Sequence, residues 1–367
     1  MAAYDLTIQD TEFISSSDYP SATAIDDSHF AIAYETGSNG FIATYSVDED
    51  GIITLIDTLQ HQTGGEARDN SLGIMDGTLV LAYSTDTGGT GTVKTFSYDG
   101  SFDNITEEDS HDFETTYAQD NSLAVINDTS FAVAFYGTGT FDMVLVTFSV
   151  DGSLTITEEA LTKHSSSFGS DNSLKLIDTN VLVLAYKGAG NDGFTKTFTV
   201  NGSLAITQED SLEFDTANGE FPSVAIINTT HYAIMYMGVS DDGFISTFSI
   251  NGTYDITELD TLEHDTVLGE KNALTYLDDT HSLGVHNGNG NNGYLTTFAY
   301  DGSYNITETN QLQFDGNEPY EMQISQLLTG TSLLVYRNAL SQVTIKTVKS
   351  EGVEPIIGGN SNFLMFM

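Results

Sequence analysis

Three acidic triplets carry the residue types best suited to chemistry: Asp69-Asn70-Ser71, Asp120-Asn121-Ser122 and Asp171-Asn172-Ser173. Each offers a carboxylate, an amide oxygen and a hydroxyl, the hard donors that suit Ca²⁺ or Mg²⁺. The same residue types cap turns, so turn capping stands beside a cation or ligand site at Asp69, Asp120 and Asp171. Beyond such an ion no cofactor is expected. A second acceptor-rich family, Asn39-Gly40, Asn191-Asp192-Gly193, Asp241-Asp242-Gly243 and Asn291-Asn292-Gly293, reads as ordinary turn chemistry.

Other reactive patterns are missing. The eight histidines show no zinc-binding H-x-x-x-H or H-E-x-x-H spacing. His111, His164 and His264 read as nearly equivalent outer-strand positions on separate units, too far apart to share a metal. There is no G-x-S-x-G and no phosphate-binding Walker loop. Two arginines, Arg68 and Arg337, are too few for a pocket built around an anionic substrate. Carboxylates are so abundant that no pair suited to glycoside cleavage can be singled out. The expectation is a protein that is not an enzyme.

The elements that position these residues are read from repetition. An aromatic or a substitute follows a small or apolar residue at Ala33-Tyr34, Ala82-Tyr83, Ala134-Phe135, Ala185-Tyr186, Met235-Tyr236, Val285-His286 and Val335-Tyr336, at spacings of 49, 52, 51, 50, 50 and 50 residues. A second marker keeps step, from Thr44-Tyr45 through Thr95-Phe96 to Thr347-Val348. Self-similarity at this period means stacked supersecondary units. Each unit holds four short β-rich runs, and Asn-Gly or Asp-Gly pairs such as Asn201-Gly202 predict tight hairpins with positive φ. Four antiparallel strands per unit and seven units predict a seven-bladed β-propeller. Residues 4–13 match the outer run of the other units, so the N-terminal strand is expected to complete the last blade and close the ring. The three triplets then fall just before the inner strands, near the channel mouth.

Acidic residues outnumber basic ones by 53 to 10, a net charge of −43. Nucleic acid is excluded as a partner, because phosphates need Lys and Arg. No apolar run is long enough to cross a bilayer as a helix, so membrane insertion is not expected. Near 1 M salt the Debye length falls to about 3 Å and the mutual repulsion of surface carboxylates largely vanishes, which predicts a hypersaline setting. Cysteine is absent, excluding disulfides and thiolate-bound metal. The opening Met1-Ala2-Ala3-Tyr4-Asp5 lacks the basic and apolar regions of a secretory leader. Two regions are expected: a propeller over 1–352 and an apolar docking tail over 353–367. Phe363, Leu364, Met365, Phe366 and Met367 are the expected contacts with a partner protein, an apolar end that needs a place to be buried.

With no tryptophan, the repeats match neither Trp-Asp nor Asp-box propellers. The run at residues 242–252, Asp-Gly-Phe-x-x-Thr-Phe-Ser-x-Asn-Gly, resembles repeats of virion and surface proteins of halophilic archaeal viruses and marine phages, over about residues 4–352. The resemblance implies a non-enzymatic virion structural protein: a spike, turret or tail-associated propeller for host attachment. Its partners would be other virion proteins, held through the tail, and a host surface glycan or protein. The alternative is a carbohydrate- or protein-binding propeller, extracellular or on the surface of a halophilic cell; a propeller glycoside hydrolase is the third reading.

Overall fold

Apolar residues on both faces of a strand need cover on both faces, and the chain meets that need by packing sheet against sheet in a circle. The computed structural model describes residues 4–85, 89–137, 142–165, 167–327 and 331–351. The tail at 353–367, with Phe363 to Met367, lies outside the described residues. Among those described, seven sheets of four antiparallel strands form a seven-bladed β-propeller. Blades 1 to 6 span residues 17–62, 67–114, 118–165, 170–215, 220–265 and 270–315. Blade 7 combines residues 320–351 with the N-terminal strand. Within blade 4 the order from channel to rim is Ser170–Asp178, Val181–Lys187, Gly193–Val200 and Ile206–Asp215. The second strands are the most buried: residues 79–83 are each at most 1% exposed, because neighbouring blades cover both faces.

The repeated polar residues tie blades together. The Thr of the second sequence marker donates its hydroxyl to a carbonyl in the hairpin loop of the next blade. Thr44 reaches Phe102 O (2.6 Å), Thr147 reaches Leu204 O (2.8 Å) and Thr247 reaches Tyr304 O (2.8 Å). At the rim, outer-strand carboxylates accept backbone N–H groups from the next blade, as Asp57 does from Ile105 (2.9 Å) and Asp260 from Ile306 (2.7 Å). Much of the repeat signature is therefore inter-blade hydrogen bonding.

The hairpin loops differ from the tight Asn-Gly turns expected. Asn201 Oδ1 accepts the N–H groups of both Ser203 and Ala205, which opens the turn. The positive φ falls on Leu204 (58°), with Phe102, Leu154, Tyr254 and Tyr304 at the equivalent sites. Packing explains the shift: Phe102 stacks on His29 and Tyr304 on His231, at 3.8 and 3.7 Å between ring centroids.

The ring closes as the sequence predicts. The N-terminal strand Asp5–Ser15 pairs antiparallel with Gln342–Glu351, from Asp5 opposite Glu351 to Ser15 opposite Gln342. The same strand bonds both neighbouring blades. Asn310 donates to Tyr4 O (2.6 Å), and Asp10 accepts from Ile53 N–H (2.9 Å).

Candidate functional site at the channel mouth

Every inner strand begins with the same distortion. A bulge interrupts pairing with the second strand in all seven blades. It puts one residue in the left-handed region: Tyr19, Asp69, Asp120, Asp171, Phe221, Lys271 and Glu321, with φ from 49° to 57°. The conformation costs an L-residue about 1–2 kcal/mol. Because Phe and Tyr adopt it as well as Asp, the bulge belongs to the blade, and the chemistry comes from the side chain placed there. The three aspartates of the sequence reading occupy three adjacent members of this ring.

The acidic triplets act chiefly between blades, with a few bonds inside their own turns, as from Asn70 to Ala67 O (3.0 Å) and from the Ser170 hydroxyl to Asp171 (3.2 Å). The Asp69 carboxylate accepts the N–H of Asp120, and Asp120 accepts that of Asp171. Asp171 accepts from Phe221 (3.4 Å), and Glu321 from Tyr19 (2.6 Å). Asn70, Asn121 and Asn172 donate to the carbonyls of Tyr19, Asp69 and Asp120. The hydroxyls of Ser21, Ser71, Ser122, Ser173 and Ser223 accept N–H groups from Leu72, Leu123, Leu174, Val224 and Leu274, at 2.8–3.0 Å. A free inner-strand edge would otherwise leave these backbone groups without protein partners. Among the described residues, no group of three His, Asp or Glu side chains is placed to share a metal ion.

The ring is nonetheless electrostatically unusual. Burial, then the charges of Asp69 and Asp171, raise Asp120 well above the usual carboxylate range. Burial also raises Asp69 and Asp171, opposed by Arg68 for the first and Lys187 for the second. Glu321 is pushed up to about 7 by burial, with Asp18 and Asp69 adding to the shift and Arg337 opposing it. A carboxyl raised on folding stabilises the fold while it stays protonated, and that contribution is lost as pH rises through its folded value. Asp120→Asn keeps an oxygen for the Asp171 N–H and removes the charge. It should raise thermal stability by about 1–3 kcal/mol near pH 9 and by little near pH 5, read as melting temperature against pH. An equal effect at both pH values would contradict the raised titration.

Between blades 7, 1 and 2 the mouth opens into a cavity of about 160 Å³ lined by Tyr19, Pro20, Asp69, Asn70, Glu321, Met322 and Gln323. Glu321 Oε2 holds the Tyr19 N–H, and its Oε1 makes no protein hydrogen bond among the described residues. Gln323 Oε1 accepts from Ala22 N–H (3.1 Å), leaving its amide N–H groups uncommitted. Tyr19 is pushed up to about 12, by burial first, so its hydroxyl keeps its proton at neutral pH. The arginines that looked too few to matter both come here. Arg68 sits 5.5 Å from the Tyr19 ring, and Arg337 pairs with Asp18 at 2.8 Å.

A larger cavity of about 240 Å³ opens between blades 1 and 2, near Tyr83, Lys94 and Asp112. Its charged groups are already paired: Lys94 donates to His61 O (2.6 Å) and Glu107 (2.9 Å), and Asp112 accepts from Thr92 (2.8 Å).

The three histidines do lie at nearly equivalent outer-strand positions, with His111 offset by two residues. His61, His164 and His264 share one outer-strand position, which Phe113, Phe214 and Phe314 fill in the blades between; His111 lies two residues before it. Each ring meets an aromatic of the next blade edge-on, as His61 does Tyr83 at 5.1 Å and Phe113 does Phe135 at 4.9 Å. Burial first, then a nearby lysine, drops His61 and His164 to about 3. They are neutral packing groups.

Neither a protein-family model nor a curated protein matches the chain. Solved structures do. A protein from Lactobacillus plantarum shares 15% identity over 86% of this chain and 93% of its own, with a TM-score of 0.59. The periplasmic gluconolactonase of Pseudomonas aeruginosa shares 10% over 81% and 85%, with a TM-score of 0.61. A Bacteroides uniformis protein provisionally assigned as a 6-phosphogluconolactonase shares 10% over 80% and 85%, with a TM-score of 0.63. At such identities the likeness is one of fold. It overturns the expected non-enzymatic virion spike: two of these three neighbours are named as lactone-hydrolysing enzymes, none as a viral attachment protein. The binding-only alternative fits them no better.

Proposed function

We propose that this propeller is a hydrolase that opens a small, uncharged sugar lactone at the cavity between blades 7, 1 and 2. The observation that carries the reading is Glu321: a half-buried carboxyl raised to about 7, with one oxygen uncommitted, on the wall of a cavity. A general base works best when its pKa lies near the working pH. The names of two solved propellers of this shape, a gluconolactonase and a provisional 6-phosphogluconolactonase, support the choice of a lactone.

In this mechanism the Glu321 carboxylate takes a proton from water as the water oxygen attacks the lactone carbonyl carbon. The developing oxyanion accepts hydrogen bonds from the Gln323 amide and the Tyr19 hydroxyl, the kind of placed donors that stabilise such charge. Collapse breaks the ring C–O bond, and protonated Glu321 returns its proton to the leaving oxygen. The product is a hydroxy acid, whose new carboxylate is repelled by Asp69 and Asp18 and leaves for solvent. The cavity, smaller than the ~300–1,000 Å³ of drug-sized sites, suits a single sugar ring. Its carboxylates disfavour a phosphorylated one.

Glucono-δ-lactone and its 6-phospho form, each followed by acid release above the spontaneous rate, provide the test. The neutral lactone should turn over and the phosphorylated one should turn over at least about tenfold more slowly, a difference of only about 1.4 kcal/mol. No turnover of either would end the proposal.

A further inference from the structure

Tyr19, the oxyanion donor of the proposed hydrolysis, is gripped on both sides of its backbone. Its hydroxyl makes no hydrogen bond among the described residues, so its place in the cavity wall is set by the peptide that carries it. That peptide is left-handed, with φ at 53°, a conformation that persists only where the surroundings enforce it. Glu321 Oε2 holds the N–H side at 2.6 Å. Asn70 holds the other side: its Nδ2 donates to Tyr19 O at 2.8 Å and to Ala67 O at 3.0 Å. One bond crosses to blade 1, and the other anchors the amide in blade 2. With both donors engaged and the side chain 6% exposed, Asn70 is a fixed strut that also lines the cavity.

The same strut recurs where no lactone chemistry is proposed. Asn121 donates to Asp69 O at 3.4 Å, and Asn172 to Asp120 O at 3.1 Å. The Asn172 bond joins blades 3 and 4, whereas the cavity is lined from blades 7, 1 and 2. Of these three asparagines, Asn70 alone holds the peptide of a residue assigned to touch the lactone carbonyl oxygen. The seam between blades 1 and 2 has a second tie, the Leu72 N–H donated to Ser21 Oγ at 2.9 Å, so it does not depend on Asn70 alone.

We infer that Asn70 is a positioning residue for the hydrolysis: by fixing the Tyr19 carbonyl it aims the Tyr19 hydroxyl at the developing oxyanion. The role rests on the lactonase reading above. An oxyanion donor acts only within hydrogen-bond distance of the charge, and a misplacement of about 1 Å costs on the order of 10²-fold in rate. Asn70→Leu removes both N–H donors, keeps the branched shape and adds no charge beside Glu321.

A double-mutant cycle on kcat for glucono-δ-lactone tests the role. Asn70→Leu should lower kcat by about 10- to 100-fold while KM changes far less. Tyr19→Phe should lower it at least as much, and adding Asn70→Leu to Tyr19→Phe should cost nothing more, because the group being aimed is gone. Asn172→Leu, which cuts the equivalent strut away from the cavity, should leave kcat unchanged. If Asn70→Leu does not fold, the smaller Asn70→Ala takes its place in the cycle. An unchanged kcat in the Asn70 variant, a loss matched by Asn172→Leu, or effects of Asn70 and Tyr19 substitutions that multiply would each overturn the inference and leave the lactonase reading standing. No turnover by the unaltered protein would end that reading and the role of Asn70 with it.

Discussion

Glu321→Gln is expected to lower kcat for a neutral sugar lactone by about 10²- to 10⁴-fold, the range a positioned general base supplies. The amide oxygen can still accept the Tyr19 N–H that Glu321 Oε2 holds at 2.6 Å, so the bulge at residue 19 should survive. The substitution removes the proton acceptor and little else, so KM should change far less than kcat, as for an interaction made in the transition state. Steady-state kinetics on protein with an unchanged melting curve makes the comparison. A variant that keeps more than about a tenth of the rate would take Glu321 out of the mechanism.

Deleting residues 4–15 should abolish cooperative folding of the ring. The lost strand forms ten residue pairs with Gln342–Glu351, and at about 1 kcal/mol net for each hydrogen bond the loss approaches the 5–15 kcal/mol that hold a typical domain together. More goes with it. Tyr4 is 5% exposed, donates to Asp278 at 2.7 Å and meets the His281 ring edge-on at 4.4 Å. Leu6 and Ile8 pack on the core of blades 6 and 7, and Ile14 on that of blades 7 and 1. Deletion also bares the Gln342–Glu351 edge, a template for association. Circular dichroism melts and gel filtration should show a broad transition and aggregates. A sharp, unshifted melt would mean that the pairing contributes little.

The ring was legible because its signals are local and repeated. A fifty-residue phase, four β-rich runs and a fourth-strand sequence at the N-terminus lead to blade count and closure with no tertiary information. The site was only partly legible. Asp69, Asp120 and Asp171 were found because they share a triplet, but Glu321 occupies the same bulge without one, followed by Met322 and Gln323. Its signal was phase alone, since steps of about fifty residues from Asp171 reach Phe221, Lys271 and Glu321. Arg68 and Arg337 were discounted by counting, which says nothing of where two residues converge. The near-equivalence of three histidines was legible, but the offset of His111 and the place of His61 in the set were not, because Phe113, Phe214 and Phe314 fill the same packing role in alternate blades. Periodicity reports which positions are equivalent; it does not report which of them a given blade uses for chemistry.

Titration of the reaction rate tests the central claim most directly, because a raised Glu321 must appear in the pH profile. In the unaltered protein, kcat/KM for the neutral lactone, corrected for spontaneous opening, should rise with pH and level off with a midpoint near 7, the value to which Glu321 is pushed up. Asp69→Asn removes one of the charges that raise it, so the midpoint should move to lower pH, and in Glu321→Gln the limb should vanish. A midpoint that stays put in Asp69→Asn, or a limb that persists in Glu321→Gln, would contradict the account.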